Sequence, residues 1–295
     1  MPDLLKEFPA PDDDLTRPRD WREICRRCNE LRLEPGSWWQ RVVSDPEAVP
    51  RVDESSLTVR LRGNALAEVQ LRGESLQCRI APEHLLLSHP GSRAVLGDAS
   101  AASASRRVQS LAELAQHYDH VRRRVCRTTD RHGAILDRLF LRHPCILAVD
   151  ASLPCGKADL VTLSPNGVVV IFLLRRYASG DLRLKGRGGI AWRMAELDNW
   201  LAETQVATSW VRGLLERSAA LDTRHSRRYR APDTLHIHRR ARLLIVDFDH
   251  AQRLGGLPSL RADLETGLDR TRSKDDIPCI GDPGNISYAI LFSGL

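Results

Sequence analysis

KADLVTLSPNGVVVIFLLRRY, residues 157–177, reads as two strands around a turn. Pro165-Asn166-Gly167 supplies the turn, because Gly accepts the positive φ that tight reversals need. The first strand, 158–163, carries an acid, Asp159, inside an apolar run. The second, 168–174, is apolar at every position, which suits a strand covered on both faces. Side chains two residues apart along a strand share a face, so Lys157 is expected beside Asp159. No acid occurs between Pro165 and Gly180.

Outward from this hairpin the pattern alternates. Val108, Leu111, Leu114, Tyr118, Val121 and Val125 recur at helical spacing. A second helix starts near Thr129-Asp130, either of which is a natural N-cap, and carries Ile135, Leu136, Leu139 and Phe140. His143-Pro144 ends it. Residues 145–151 predict a strand before the hairpin. After it come a long helix over 191–217, a strand over 242–248, a helix over 260–268 and a last strand over 286–292.

The N-terminal part differs in character. Residues 1–20 are acidic and Pro-rich and read as a flexible leader, and 21–33 as a helix. Three alternating segments follow, with Leu57, Val59 and Leu61, then Ala67, Val69 and Leu71, then Leu76, Cys78 and Ile80 on one face. Gly63 and Gly73 mark the turns of a small antiparallel meander. Its other face mixes Arg60, Arg62 and Arg79 with Glu68 and Gln70, as a solvated face does. The small-residue run 97–105 reads as a linker. The expected organisation is a leader (1–20), a small α+β domain (21–96), a linker (97–105) and an α/β domain (106–295).

Composition narrows the classes. The chain has 295 residues, net charge +6, and only four lysines among 44 basic residues: Lys6, Lys157, Lys185 and Lys274. Arginine predominance suits bidentate phosphate contacts, and it limits any catalytic lysine to those four. Seven cysteines scattered over this length do not form a disulfide framework. Cys25 and Cys28 fall on a helix at i, i+3 and read as packing. No apolar run approaches membrane-spanning length, and the N-terminus lacks a secretory pattern, so no membrane partner and a cytoplasmic location are expected.

The order helices, three strands, helix, strand over residues 106–250 resembles the PD-(D/E)XK nuclease superfamily. The points of likeness are Ala158-Asp159-Leu160-Val161, the Gly167 turn and the apolar strand ending in Arg175-Arg176-Tyr177. Two others are Glu196-Leu197-Asp198-Asn199-Trp200 in the following helix and Leu243-Leu244-Ile245-Val246 in the fourth strand. The resemblance implies an Asp on the second core strand, then an acid and a Lys two residues apart on the third, together holding Mg²⁺ and activating water. Asp159 matches the first position. Phe172 stands where the second acid is expected and Leu174 where the Lys is expected, and neither binds a metal.

The first functional reading is therefore a nuclease fold without the usual catalysis. It would need no cofactor and would bind DNA or RNA, or serve in a nucleic-acid-processing assembly. Arg175, Arg176, Arg227, Arg228 and Arg230 are its candidate nucleic-acid contacts. The alternative is an active Mg²⁺-dependent endonuclease with relocated groups: Asp159 as metal ligand, with Lys157 and Glu196, or an acid from Asp130 or Asp137. A third reading is a protein-interaction scaffold with no nucleic acid, for which the meander and Trp38-Trp39 are the contact candidates.

Overall fold

The computed structural model describes residues 21–73, 75–80, 107–109, 111–128, 130–226, 232, 234–268 and 274–294. The expected leader and linker lie outside them. Two helices, α1 (Trp21–Arg32) and α2 (Trp38–Ser44), lead into an antiparallel sheet: β1 (Val49–Val52), β2 (Ser56–Leu61), β3 (Asn64–Arg72), β4 (Ser75–Ile80) and β5 (Arg107–Gln109), paired in chain order. The three expected meander strands are present, flanked by β1 and β5. Ser37 caps α2 by accepting from the Gln40 N–H.

Trp38 and Trp39 are fully buried in the cluster beneath this sheet, so they are core and not contact candidates. Cys25 and Cys28 are buried in the same cluster, and desolvation raises both thiol pKa values, that of Cys25 to about 12. That is the chemistry of packed thiols.

Residues 107–109 are strand, so the helix expected from Val108 begins later. It is divided at His117 into α3 (Leu111–Gln116) and α4 (Tyr118–Val125). Leu114, Tyr118, Val121 and Val125 pack into the first sheet's cluster, which also takes in Leu221. The apolar clusters thus do not divide at 97–105.

α5 (Arg131–Arg142) follows, with Asp130 accepting from the His132 N–H as its N-cap. A mixed six-stranded sheet comes next. β6 (Ile146–Leu153), β7 (Gly156–Leu163) and β8 (Val168–Arg176) are antiparallel neighbours. After α6 (Ile190–Ala202) and α7 (Thr204–Ala220), β9 (His236–Ile237) and β10 (Arg242–Val246) both run parallel to β8. β9 pairs with the beginning of β8 and β10 with its end. α8 (His250–Leu254) and α9 (Gly256–Gly267) precede β11 (Cys279–Ile280), parallel to β10, and α10 (Tyr288–Leu291) closes the described chain.

Helices cover both faces of this sheet, which is why β8 is apolar from Val168 to Leu174 and β10 from Leu243 to Val246. Val161, Ile171, Leu173, Leu243 and Ile245 meet α6, α7 and α9. Leu160, Val170, Phe172, Leu174, Leu244 and Val246 meet α5 and α10.

Two sequence expectations are corrected. The helix over 191–217 is broken at Glu203, and Trp200 and Trp210 stack edge-on with ring centres 5.8 Å apart. Ten residues of straight helix would separate their Cα atoms by about 15 Å, so the break is what lets the rings meet. The segment 286–292 holds a short helix, Tyr288–Leu291, and no strand, and the Tyr288 and Phe292 rings approach to 4.6 Å at i, i+4 spacing.

The meander is fastened to α5 by close backbone packing. Gly63 has φ +90, and a Cβ there would lie 2.5 Å from the Asp130 carbonyl oxygen and 2.6 Å from the Ala134 nitrogen. Gly133 faces it, with its own Cβ position 2.7 Å from the Gly63 Cα. Arg60, expected on a solvated face, is buried in this junction. Its Nε lies 3.1 Å from Asp137, and its Nη1 donates to Asp150 at 2.9 Å. Asp137 also accepts from the Gly63 N–H at 2.6 Å. Removing the cation would strand a buried carboxylate, so Arg60→Ala should cost about 3–5 kcal/mol. The urea midpoint, followed by circular dichroism at neutral pH, measures this. Arg62→Ala, on an exposed pair with Glu47, should shift it by less than about 1 kcal/mol.

Candidate functional site

The β7–β8 pairing runs from Leu163↔Val169 to Leu160↔Phe172. At Asp159 the side chain takes over from the ladder: its Oδ2 accepts from the Leu174 N–H at 2.7 Å. The same oxygen receives Arg175 Nη1 at 2.6 Å, and Oδ1 lies 3.2 Å from His132 Nε2. Asp159 is only 8% exposed. Burial pushes its carboxyl pKa up, but the His132 hydrogen bond, the Arg175 charge and the Leu174 N–H outweigh it, and the net shift is downward.

A kink puts Asp159 on this side. Ala158 packs with the α6 layer and Leu160 with the α5 layer, although residues two apart on a regular strand share a face. On the paired strand, Asp150 has φ +51, in the left-handed region. Asp159 therefore meets His132, in the first turn of α5. Beside it, Phe172 and Leu174 have no exposed surface and form an apolar wall with Leu136, Leu139 and Phe140.

The other candidate residues go elsewhere. Lys157 was expected beside Asp159; its Nζ instead lies 3.3 Å from Asp150, and its side chain is largely exposed. Glu196, on α6, pairs with Arg193 at 3.2 Å. Arg193 in turn donates to the carbonyls of Cys155 and Lys157, tying α6 to the β6–β7 hairpin. Asp130 caps α5 and Asp137 holds Arg60. The structure does not bring Asp159, Lys157 and Glu196 to a shared partner.

Among the described residues, no group of three or more His, Cys, Asp or Glu side chains is placed to hold a metal ion. The surroundings of Asp159 do not fit Mg²⁺. The guanidinium of Arg175 lies between Asp159 and Asp181, bonded to both, so a fixed cation already sits where a second would be repelled.

Arg175 is thus an internal partner, and Arg176 pairs with Asp247 at 2.6 Å. Arg227, Arg228 and Arg230 lie outside the described residues. His132 and Asp181 were not identified from sequence. The available signal was chemical: a buried Asp whose following strand offers no acid or Lys needs a cation, and Arg175 is the first one after β8's apolar run.

No protein-family model matches the chain, and neither a curated protein nor a solved structure is detectably similar to it. Among the described residues, no helix is long and apolar enough to cross a membrane.

Asp159→Asn keeps the shape but removes the charge, and should cost about 2–4 kcal/mol at pH 7. A carboxyl whose folded pKa is lowered contributes stability above its unfolded value, near 3.8, and loses it as pH falls through the folded value. The gap in urea midpoint between wild type and variant should therefore be full at pH 5–7 and close below about pH 4.

Proposed function

We propose that this chain is a PD-(D/E)XK-type nuclease fold that has lost metal-dependent hydrolysis and binds nucleic acid. Support for the fold comes from the strand order: β6, β7 and β8 side by side and antiparallel, then a helical crossover to β10, parallel to β8. That is the connectivity expected from helices, three strands, helix, strand.

The observation that carries the loss of chemistry is the environment of Asp159. Its carboxylate is held by Arg175, His132 and the Leu174 N–H, next to the buried side chains of Phe172 and Leu174. Hydrolysis of this type needs a metal held by carboxylates and a free cation near the attacked phosphate. Here the acid and the nearest cation are spent on each other. The net charge of +6, carried almost entirely by arginine, supports phosphate contact.

The test uses the purified full chain with labelled DNA and RNA at low salt, with and without Mg²⁺ or Mn²⁺. The expected result is salt-sensitive binding with intact nucleic acid recovered after long incubation. Metal-dependent cleavage that disappears in Asp159→Ala would overturn the loss of chemistry. Absence of binding at low salt would remove the nucleic-acid part.

A further inference from the structure

Five of the six tryptophans are packed away. Trp21, Trp38, Trp39 and Trp200 are buried, and Trp210 stacks edge-on with Trp200. Trp192, in the first turn of α6, is 38% exposed. The inward positions of that helix are Ile190, Met194, Leu197 and Leu201, so Trp192 lies on the opposite side. One exposed ring needs no explanation by itself. Its neighbours along the chain supply one.

The segment before α6 is a presented loop. Arg183, Leu184, Lys185, Gly186, Arg187 and Gly188 are exposed one after another, and Leu184 reaches 56%. Both ends are fixed. At the start, Leu182 is buried in the core and Asp181 bonds Arg175. At the end, Ile190 is buried and Arg193 donates to the carbonyls of Cys155 and Lys157. Between them the chain doubles back: the Gly189 N–H donates to the Gly186 carbonyl at 2.9 Å, and a Cβ at Gly189 would lie 2.0 Å from the Leu184 carbonyl oxygen. The loop backbone is thereby held against the N-cap of α6, one turn before Trp192.

Residues 182–195 carry Arg183, Lys185, Arg187 and Arg193 and no acid. Arg183 lies over the Tyr177 ring and donates to the Tyr177 and Ser179 carbonyls. With Arg193 spent on the hairpin, Lys185 and Arg187 are the cations the loop offers to solvent. An indole face with cations beside it, on a fixed backbone, suits an unstacked base and the phosphates that flank it. We propose that Trp192, Lys185 and Arg187 form a binding surface for single-stranded nucleic acid, with a base stacked on Trp192 and phosphates at Lys185 and Arg187. A duplex has no free base face to offer, so the single strand is the preferred form. A lipid surface would need an apolar stripe along the helix. The outward positions of α6 after Trp192 are instead Ala195, Glu196 and Asn199. This proposal rests on the nucleic-acid reading above and moves its contacts away from Arg175 and Arg176, which are engaged with Asp159, Asp181 and Asp247.

The experiment compares the full-length wild type with Trp192→Ala, Trp192→Phe and Lys185→Ala/Arg187→Ala. A control, Arg212→Ala/Arg253→Ala, removes two exposed cations from α7 and α8. Binding to a labelled oligothymidylate of about 12 nucleotides, and to a duplex of the same length, is followed by fluorescence anisotropy between about 50 and 200 mM salt. Thermal melts confirm that each variant is folded. The wild type should prefer the single strand. Trp192→Ala should weaken that binding by about tenfold with little change in salt slope, and Trp192→Phe should keep most of it. The loop pair should lower the log–log salt slope by about 1.4, and the control should weaken binding by less than about threefold. Wild-type binding that Trp192→Ala retains, or that the control lowers as much as the loop pair does, overturns the surface and leaves the nucleic-acid reading standing. A duplex bound as tightly as the single strand overturns the stacking role. A wild type that binds neither probe overturns both readings. In that case, association with phosphatidylserine vesicles that is lost in Trp192→Ala gives the patch to a lipid surface.

Discussion

A buried carboxylate must find a cation or give up its charge, and Asp159 finds Arg175. The ion pair lies where β7 and β8 part, and the carboxylate also occupies the hydrogen-bonding position of the next ladder step by accepting from the Leu174 N–H. Asp159 thereby acts as an element of the sheet. It caps the β7–β8 ladder, orients His132 at the start of α5 and, through Arg175, reaches Asp181 beyond the end of β8. An acid committed to a guanidinium, a backbone N–H and an imidazole has little left to offer a metal. The same contacts that stabilise the fold here argue against hydrolysis.

The second constraint is the junction between the two sheets. Gly63 and Gly133 let the β2–β3 turn and the first turn of α5 approach to backbone contact, and Arg60 fills the space between Asp137 and Asp150. Arg51, from β1, reaches the Asp150 carbonyl as well. At the other end, Asn29 on α1 exchanges hydrogen bonds with the Ala220 carbonyl and the Asp222 N–H after α7. The meander and α1 are therefore held to the second half of the chain by polar contacts at two places, and the first apolar cluster includes Leu221, just after α7.

Much of the secondary structure was legible because its causes are local. The alternation at Leu57, Val59 and Leu61 and the unbroken apolar run of β8 follow from which faces are covered. Asp130 and Pro144 bound α5 through capping and through the missing backbone donor. The errors fall where specific partners, not periodicity, decided the outcome. Residues 107–109 joined β4 as a strand, the helix over 191–217 broke so that Trp200 could meet Trp210, and Tyr288–Leu291 formed a short helix where a strand was expected. The site divides the same way. Asp159 was visible as an acid out of pattern, and Phe172 and Leu174 as positions lacking their usual groups. That Lys157 turns to Asp150, Glu196 to Arg193 and Arg175 inward was not visible, because a side chain's partner depends on which elements pack beside it.

By itself the sequence determined the three meander strands, the strands β6, β7, β8 and β10, the positions of most longer helices and the scarcity of lysine, since periodicity, turn residues and composition are properties of neighbours along the chain. Only the tertiary structure decided which arginines are neutralised by buried or half-buried carboxylates. Arg60, Arg122 and Arg175 are spent on buried or half-buried carboxylates, whereas Arg123 and Arg127 remain at the surface. Arginines alike in sequence differ in role because charge is neutralised through space, at distances of about 3 Å that no linear pattern encodes.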